Sequence, residues 1–91
     1  ILYFETGRHV TLIHTLTDTI SITKVLSEVC EDFEQNPEFI RVGRSYLINR
    51  LYVRNVDQTE VEMMNSAVIP IPVRLQKEIR QQLKEGRFSK K

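Results

Sequence analysis

The chain of 91 residues has a single cysteine, Cys30. One thiol permits no intrachain disulfide and no cysteine-based zinc site, and it favours a reducing compartment, so a cytoplasmic location is expected. Glycine is scarce too. The three glycines stand alone at positions 7, 43 and 86, so no glycine-rich phosphate loop can form. No apolar run approaches the roughly 18 residues that span a membrane. The opening residues, Ile1-Leu2-Tyr3-Phe4-Glu5, lack the basic flank and small-residue cleavage site of a signal peptide. The chain does not begin with Met, which makes a piece of a longer protein the expectation.

These gaps exclude most catalytic designs. The two histidines, His9 and His14, are five apart on a predicted strand, so they face opposite sides and cannot share a metal. His14 shares a face with Val10, Leu12 and Leu16 and reads as a partly buried, hydrogen-bonded side chain. Cys30 falls on an apolar helix stripe and reads as a small core residue, not a nucleophile. A small-molecule sensor would need an apolar pocket that so short a chain can hardly spare. Neither catalysis, nor a cofactor, nor a small-molecule substrate is expected.

What the chain does have is ordinary globular composition, 41% hydrophobic and 27% charged, in a length that suits one small domain. Net charge is +1, but it is unevenly distributed. Residues 1–40 carry two basic side chains against seven acidic ones, whereas residues 74–91 carry seven basic against two acidic. That gradient suits an anionic partner on one surface, or simply a solvated helix and a basic tail.

Periodicity gives the elements. Ile1–Glu5, Arg8–Leu16 and Thr19–Ile22 read as strands separated by Thr6-Gly7 and Thr17-Asp18 turns. The period then changes. Leu26, Val29, Cys30 and Phe33 lie on one face of a predicted helix over residues 24–35, with Thr23 as N-cap, an acidic outer face and Asn36-Pro37 as its stop. Phe39–Val42, Tyr52–Val56, Glu60–Met64 and Ala67–Val73 read as further strands, and Tyr46-Leu47-Ile48 as a short irregular piece. Pro70 and Pro72 remove two ladder donors, which assigns residues 67–73 to a sheet edge. Leu75, Ile79 and Leu83 recur every four residues, predicting a helix over 74–85 that Gly86 ends. The fold class is therefore mostly β (α+β by content), with small antiparallel sheets, one mid-chain amphipathic helix and one C-terminal helix. One domain over residues 1–86 is expected, with residues 87–91 a disordered basic tail.

The stretch "FIRVGRSYLINR", residues 39–50, interleaves arginines with apolar residues around a glycine. Arginines are costly to bury without partners, so Arg41, Arg44 and Arg50 must face something polar. Gly43 lets the backbone turn, so Arg44 can project from a loop with the Ser45 hydroxyl beside it. Arg8 follows Gly7, and Arg74 stands where a proline-rich strand becomes a helix. Three basic side chains thus sit at strand or loop ends, where residues reach outward from a scaffold. An arginine fork can read a guanine edge or clamp a phosphate, and Arg50, Arg54, Lys77 and Arg80 could add backbone contacts. DNA contact and ordinary surface charge both remain open on these residues alone.

The segments "ILYFE", "RHVTLIHTL", "FIRVGRSYLIN" and "IPIPVRLQKEI" occur in an order and spacing that resemble the LytTR family, over residues 1 to about 85. The resemblance implies a DNA-binding domain of bacterial transcription regulators, C-terminal to a phosphorylatable receiver domain. It implies a fold of small antiparallel sheets with short helices that reads successive major grooves through loops, two copies occupying repeated half-sites of double-stranded DNA. Carried onto this chain, base contacts fall on Arg8 or His9, on Arg44 and on Arg74. Arg41, Ser45, Arg50, Arg54, Lys77 and Arg80 are the phosphate candidates, and Asn49 reads as a brace for its own loop. Two positions depart from the family pattern: Gly43 stands where His is usual, and Pro72-Val73-Arg74 where Ser-Arg-Arg is usual. The alternative function is a protein-interaction module that docks partners on the edge strand 67–73.

Overall fold

The computed structural model describes residues 1–88, with side chains described through Leu83. Five strands form the larger sheet: β1 (Tyr3–Thr6), β2 (Thr11–His14), β3 (Thr19–Ile22), β4 (Phe39–Val42) and β5 (Tyr46–Asn49). Their order is β3-β2-β1-β5-β4 and every pairing is antiparallel. A second sheet pairs β6 (Val53–Val56), β7 (Glu60–Met63) and β8 (Val68–Pro70) in sequence order. Helix α1 (Leu26–Asp32) precedes β4, and α2 (Gln76–Phe88) closes the described chain.

Alternation along the strands builds three layers. Phe4 and Leu47 point to one face of the large sheet and bury Leu26 and Val29 of α1. Tyr3, Ile40, Val42 and Ile48 point to the other face, where they meet Val61, Met63 and Ile69 of the small sheet and Ile79 and Leu83 of α2. Burying each such side chain contributes about 1.5–3 kcal/mol. The two helices thus cover sheet faces, as the periodicity of their apolar positions requires.

Several boundaries differ from the sequence-based expectation. Tyr46-Leu47-Ile48 is not an irregular piece but most of β5, paired on both sides by β1 and β4. The long strand expected over Arg8–Leu16 contracts to β2, because residues 7–10 form a tight turn in which Gly7 N–H bonds Val10 O at 2.9 Å. Tyr52 belongs to a single 3₁₀ turn (Arg50–Tyr52) before β6. The mid-chain helix is shorter than residues 24–35, and Thr23 is not its N-cap. The buried Thr11 hydroxyl donates to Lys24 O at 2.6 Å, which holds the bend at Thr23-Lys24 outside the helix. Glu28 then turns back to accept the Val25 N–H.

At the C-terminus a 3₁₀ turn (Val73–Leu75) precedes α2, and Gly86 does not stop the helix. Glycine costs a helix about 1 kcal/mol without forbidding it. Of the expected tail over 87–91, residues 89–91 lie outside the described residues. The strand expected over 67–73 contracts to β8, because Pro72 lies outside it at the start of the 3₁₀ turn; β8 has one partner, β7, and is a sheet edge, as Pro70 requires. Among the described residues no helix is long and apolar enough to cross a membrane.

Candidate nucleic-acid interface

Three connections gather at one end of the molecule. The first is the β1–β2 turn, where His9 adopts φ 62°. A Cβ at Gly7 would lie 2.8 Å from Val10 Cγ2, so the turn admits only glycine there without rearrangement. The turn presents Arg8 and His9, both exposed.

The second connection is the β4–β5 turn, Gly43-Arg44-Ser45, closed by the Val42↔Tyr46 pair. Gly43 takes φ 68°, a left-handed conformation that suits glycine. Arg41 Nε donates to Gly43 O at 3.1 Å. Thr6, at the end of β1, holds the other side: its N–H bonds Ser45 O at 2.9 Å and its hydroxyl donates to Arg44 O at 3.2 Å. The backbone of this turn is therefore pinned by both flanks while the Arg44 and Ser45 side chains remain exposed.

The third connection leads from β8 into α2. Ile71 is buried and its N–H bonds Thr59 O at 2.8 Å. Pro72 initiates the 3₁₀ turn, accepting the Leu75 N–H at 2.9 Å. The turn lifts Val73 and Arg74 into solvent. Residues 42–46 and 70–72 line one shallow groove, so the second and third connections adjoin.

Two carboxylates near these connections, Glu5 and Asp57, are engaged within the protein. Glu5 accepts from Tyr46 O–H at 3.5 Å and pairs with His14 Nε2 at 2.8 Å; His14 in turn contacts Thr19 and stacks on Tyr3 at 4.3 Å. Burial, with the Glu5 carboxylate close by, pushes the Tyr46 phenol above its ordinary value, and burial does the same to Tyr3. Asp57 spends its carboxylate on the N–H groups of Thr59 and Glu60, which hold its pKa below the usual range. Among the described residues Arg8, Arg44 and Arg74 form no ion pair and their guanidiniums make no hydrogen bond within the protein.

The remaining candidates divide by position. Lys77 and Arg80 lie on the first turns of α2, directly after Arg74. Arg50 sits beyond the far end of β5, roughly 13 Å from the Arg44 turn at about 3.3 Å per residue. There it lines a groove between β4 and α2 with Glu78 and Gln82. Arg54 is also at that far end and is tied down: its guanidinium donates to Met64 O at 2.7 Å and Ser66 Oγ at 3.3 Å, beside Glu62 at 3.6 Å. Asn49 is buried there as well. It donates to Ile1 O and accepts from Leu51 N–H, both at 3.0 Å, so it braces the start of the chain and the following 3₁₀ turn, not the Arg44 turn. Cys30 packs against the α1 core, where burial pushes its thiol pKa up.

Thr6 and Pro72 are contributors that the sequence reading missed. Neither carries a charge, and their partners are remote in sequence. Only the prolines flanking Ile71 gave a local hint.

The family model for the LytTr DNA-binding domain matches residues 1–84. The chain belongs to that family. A solved LytTr DNA-binding domain from Bacillus cereus, described as part of a methyl-accepting/DNA response regulator, superimposes with a TM-score of 0.75 at 22% identity. The match covers 91% of this chain and 80% of that one. No curated protein matches the chain. Membership in the LytTr family makes this a DNA-binding domain, with mostly antiparallel sheets and two helices as its family fold. The mostly β fold read from the periodicity agrees with it.

Proposed function

We propose that this LytTr domain binds specific double-stranded DNA sites as the output domain of a bacterial response regulator, reading the major groove through loop-borne arginines. The observation that carries this reading is the set of three adjoining connections whose backbones are fixed and whose basic side chains are unspent. Rigid backbone with free guanidiniums is what bidentate base recognition requires, because a fork must meet O6 and N7 of guanine together. Arg44 and Arg74 are the base readers, with Arg8 or His9 contributing from the first turn. Arg41, Ser45, Lys77 and Arg80 serve the phosphates next to them. Arg50 and Arg54 stand too far down the sheet to share the same groove contact and belong to a flanking phosphate, if to any. A receiver domain upstream and two copies on repeated half-sites complete the arrangement.

The test is duplex affinity at two salt concentrations, measured on a random-site pool and on the selected site. Specific binding predicts a steep salt slope and one enriched site. Weak, salt-insensitive association with every duplex would instead favour the protein-interaction reading. The edge strand β8 is open on one side, and its Val68 is exposed. Pro70, however, removes a backbone donor from that edge, which makes it a poor template for an added strand.

A further inference from the structure

Gly43 and Pro72 touch. A Cβ built at Gly43 would come 3.1 Å from Pro72 Cγ and 3.6 Å from Cδ, so the two loops are packed as closely as the absence of a side chain at 43 allows. The next residue after Gly43 is Arg44. The second residue after Pro72 is Arg74, held on the 3₁₀ turn that the Leu75–Pro72 hydrogen bond closes. The shortest path between the two arginines therefore runs through one contact, between a glycine that has no side chain to rotate away and a proline ring whose φ is locked. Gln76 Nε2 donates to Ile71 O at 3.2 Å and steadies the approach to that ring.

We propose that the Gly43–Pro72 contact is a specificity determinant: it fixes the separation of Arg44 and Arg74 and thereby the number of base steps between the positions they read. The proposal rests on the reading of those arginines as base contacts. Bidentate recognition tolerates displacements of only about 0.5 Å, so a contact that holds two reading loops together selects the spacing of the site as well as its bases. Neither Gly43 nor Pro72 needs to touch DNA for this.

Site selection from a random-duplex pool tests it, using the wild-type protein, Gly43→Ala, Pro72→Ala, the double variant, Arg44→Ala and Arg74→Ala. The wild type should enrich a single spacing between the two read positions. Pro72→Ala should enrich several, and should lose about tenfold of the preference for the selected site over the same site with one base pair inserted between those positions. Gly43→Ala should disturb the spacing as well, and less so in the Pro72→Ala background, where its Cβ meets no ring and only the strain of the left-handed φ remains. If Pro72→Ala discriminates against the inserted base pair as strongly as the wild type, the contact does not set the spacing, even where Arg44→Ala and Arg74→Ala each relax one base. If neither arginine variant relaxes any base, the base-reading assignment has failed and the spacing proposal falls with it. Thermal unfolding reports whether Pro72→Ala is folded; should it not be, Pro72→Ser removes the same ring and carries the same expectation.

Discussion

Arg44 and Arg54 are both exposed arginines next to turns, at opposite ends of the molecule, and the surroundings give them opposite duties. Around Arg44, Thr6 and Arg41 hold the turn by its backbone carbonyls and leave the Arg44 guanidinium without a protein partner among the described residues. Around Arg54, the free groups are carbonyl and hydroxyl oxygens of the 64–67 turn, and the guanidinium itself satisfies them. Asn49 does the same at that end with Ile1 and Leu51. One end spends its polar side chains on closing the chain. The other closes its turns through backbone groups, the Thr6 hydroxyl and Arg41, and leaves the Arg8, Arg44 and Arg74 guanidiniums without a protein partner among the described residues. Residue type does not distinguish the two, because it is the supply of unsatisfied backbone acceptors nearby that decides.

The contrast can be broken by mutation. The largest effect should come from the closing end: Asn49→Ala leaves the part-buried Ile1 carbonyl and Leu51 N–H without partners and should cost about 3 kcal/mol of unfolding free energy. Urea denaturation measures it, and the base preference of the surviving folded fraction should be unchanged. Next comes the reading end. Arg44→Ala should lose about 2 kcal/mol on the selected site and relax one base position, with its denaturation midpoint unmoved. A gel-shift series with affinity and preference intact would show that Arg44 belongs with Arg54 after all.

Arg54→Ala should cost about 1 kcal/mol of stability, mostly through the Met64 carbonyl, since its exposed approach to Glu62 contributes little. Its effect on DNA should be within error. Smaller still, Lys77→Ala should weaken all duplexes alike and lower the salt slope by about 1. A response that differed between selected and random duplexes would move Lys77 among the base readers.

A pH series sharpens the same comparison, because Tyr46 begins the strand that leaves the Arg44 turn and Tyr3 lies beside it. Both phenols titrate higher in the folded chain than in the unfolded one. Between those values the unfolded chain has released protons that the folded chain keeps, so stability falls as pH rises. The contribution is complete below about 10, the unfolded value, and is lost above it. Tyr46→Phe should flatten that loss in unfolding experiments run across the window; an unchanged slope would place the titration elsewhere.

How far residues announce their structure varies along the chain. β2, β3 and β7 alternate, and both helices carry their apolar stripes, so each was legible. β5 was not, because it is buried on both sides: Leu47 faces α1 while Tyr46 and Ile48 face the small sheet, and a strand without a solvent face has no alternation to read. The Gly43 turn and the Arg74 position were visible from glycine and proline placement. Their adjacency was not, nor was the tethering of Arg54, since no local signal links residue 6 to 44 or 54 to 64.

Composition, periodicity and motif order were enough to determine a small, mostly antiparallel domain of the LytTr kind with basic residues at its loop ends. These are local properties: a strand's alternation, a helix's stripe and a turn's glycine are set within a few residues of chain. Which arginines stay free and which close the fold was decided only in three dimensions. That choice depends on where unsatisfied carbonyls and hydroxyls come to lie once distant segments pack, and on a glycine meeting a proline ring across two loops.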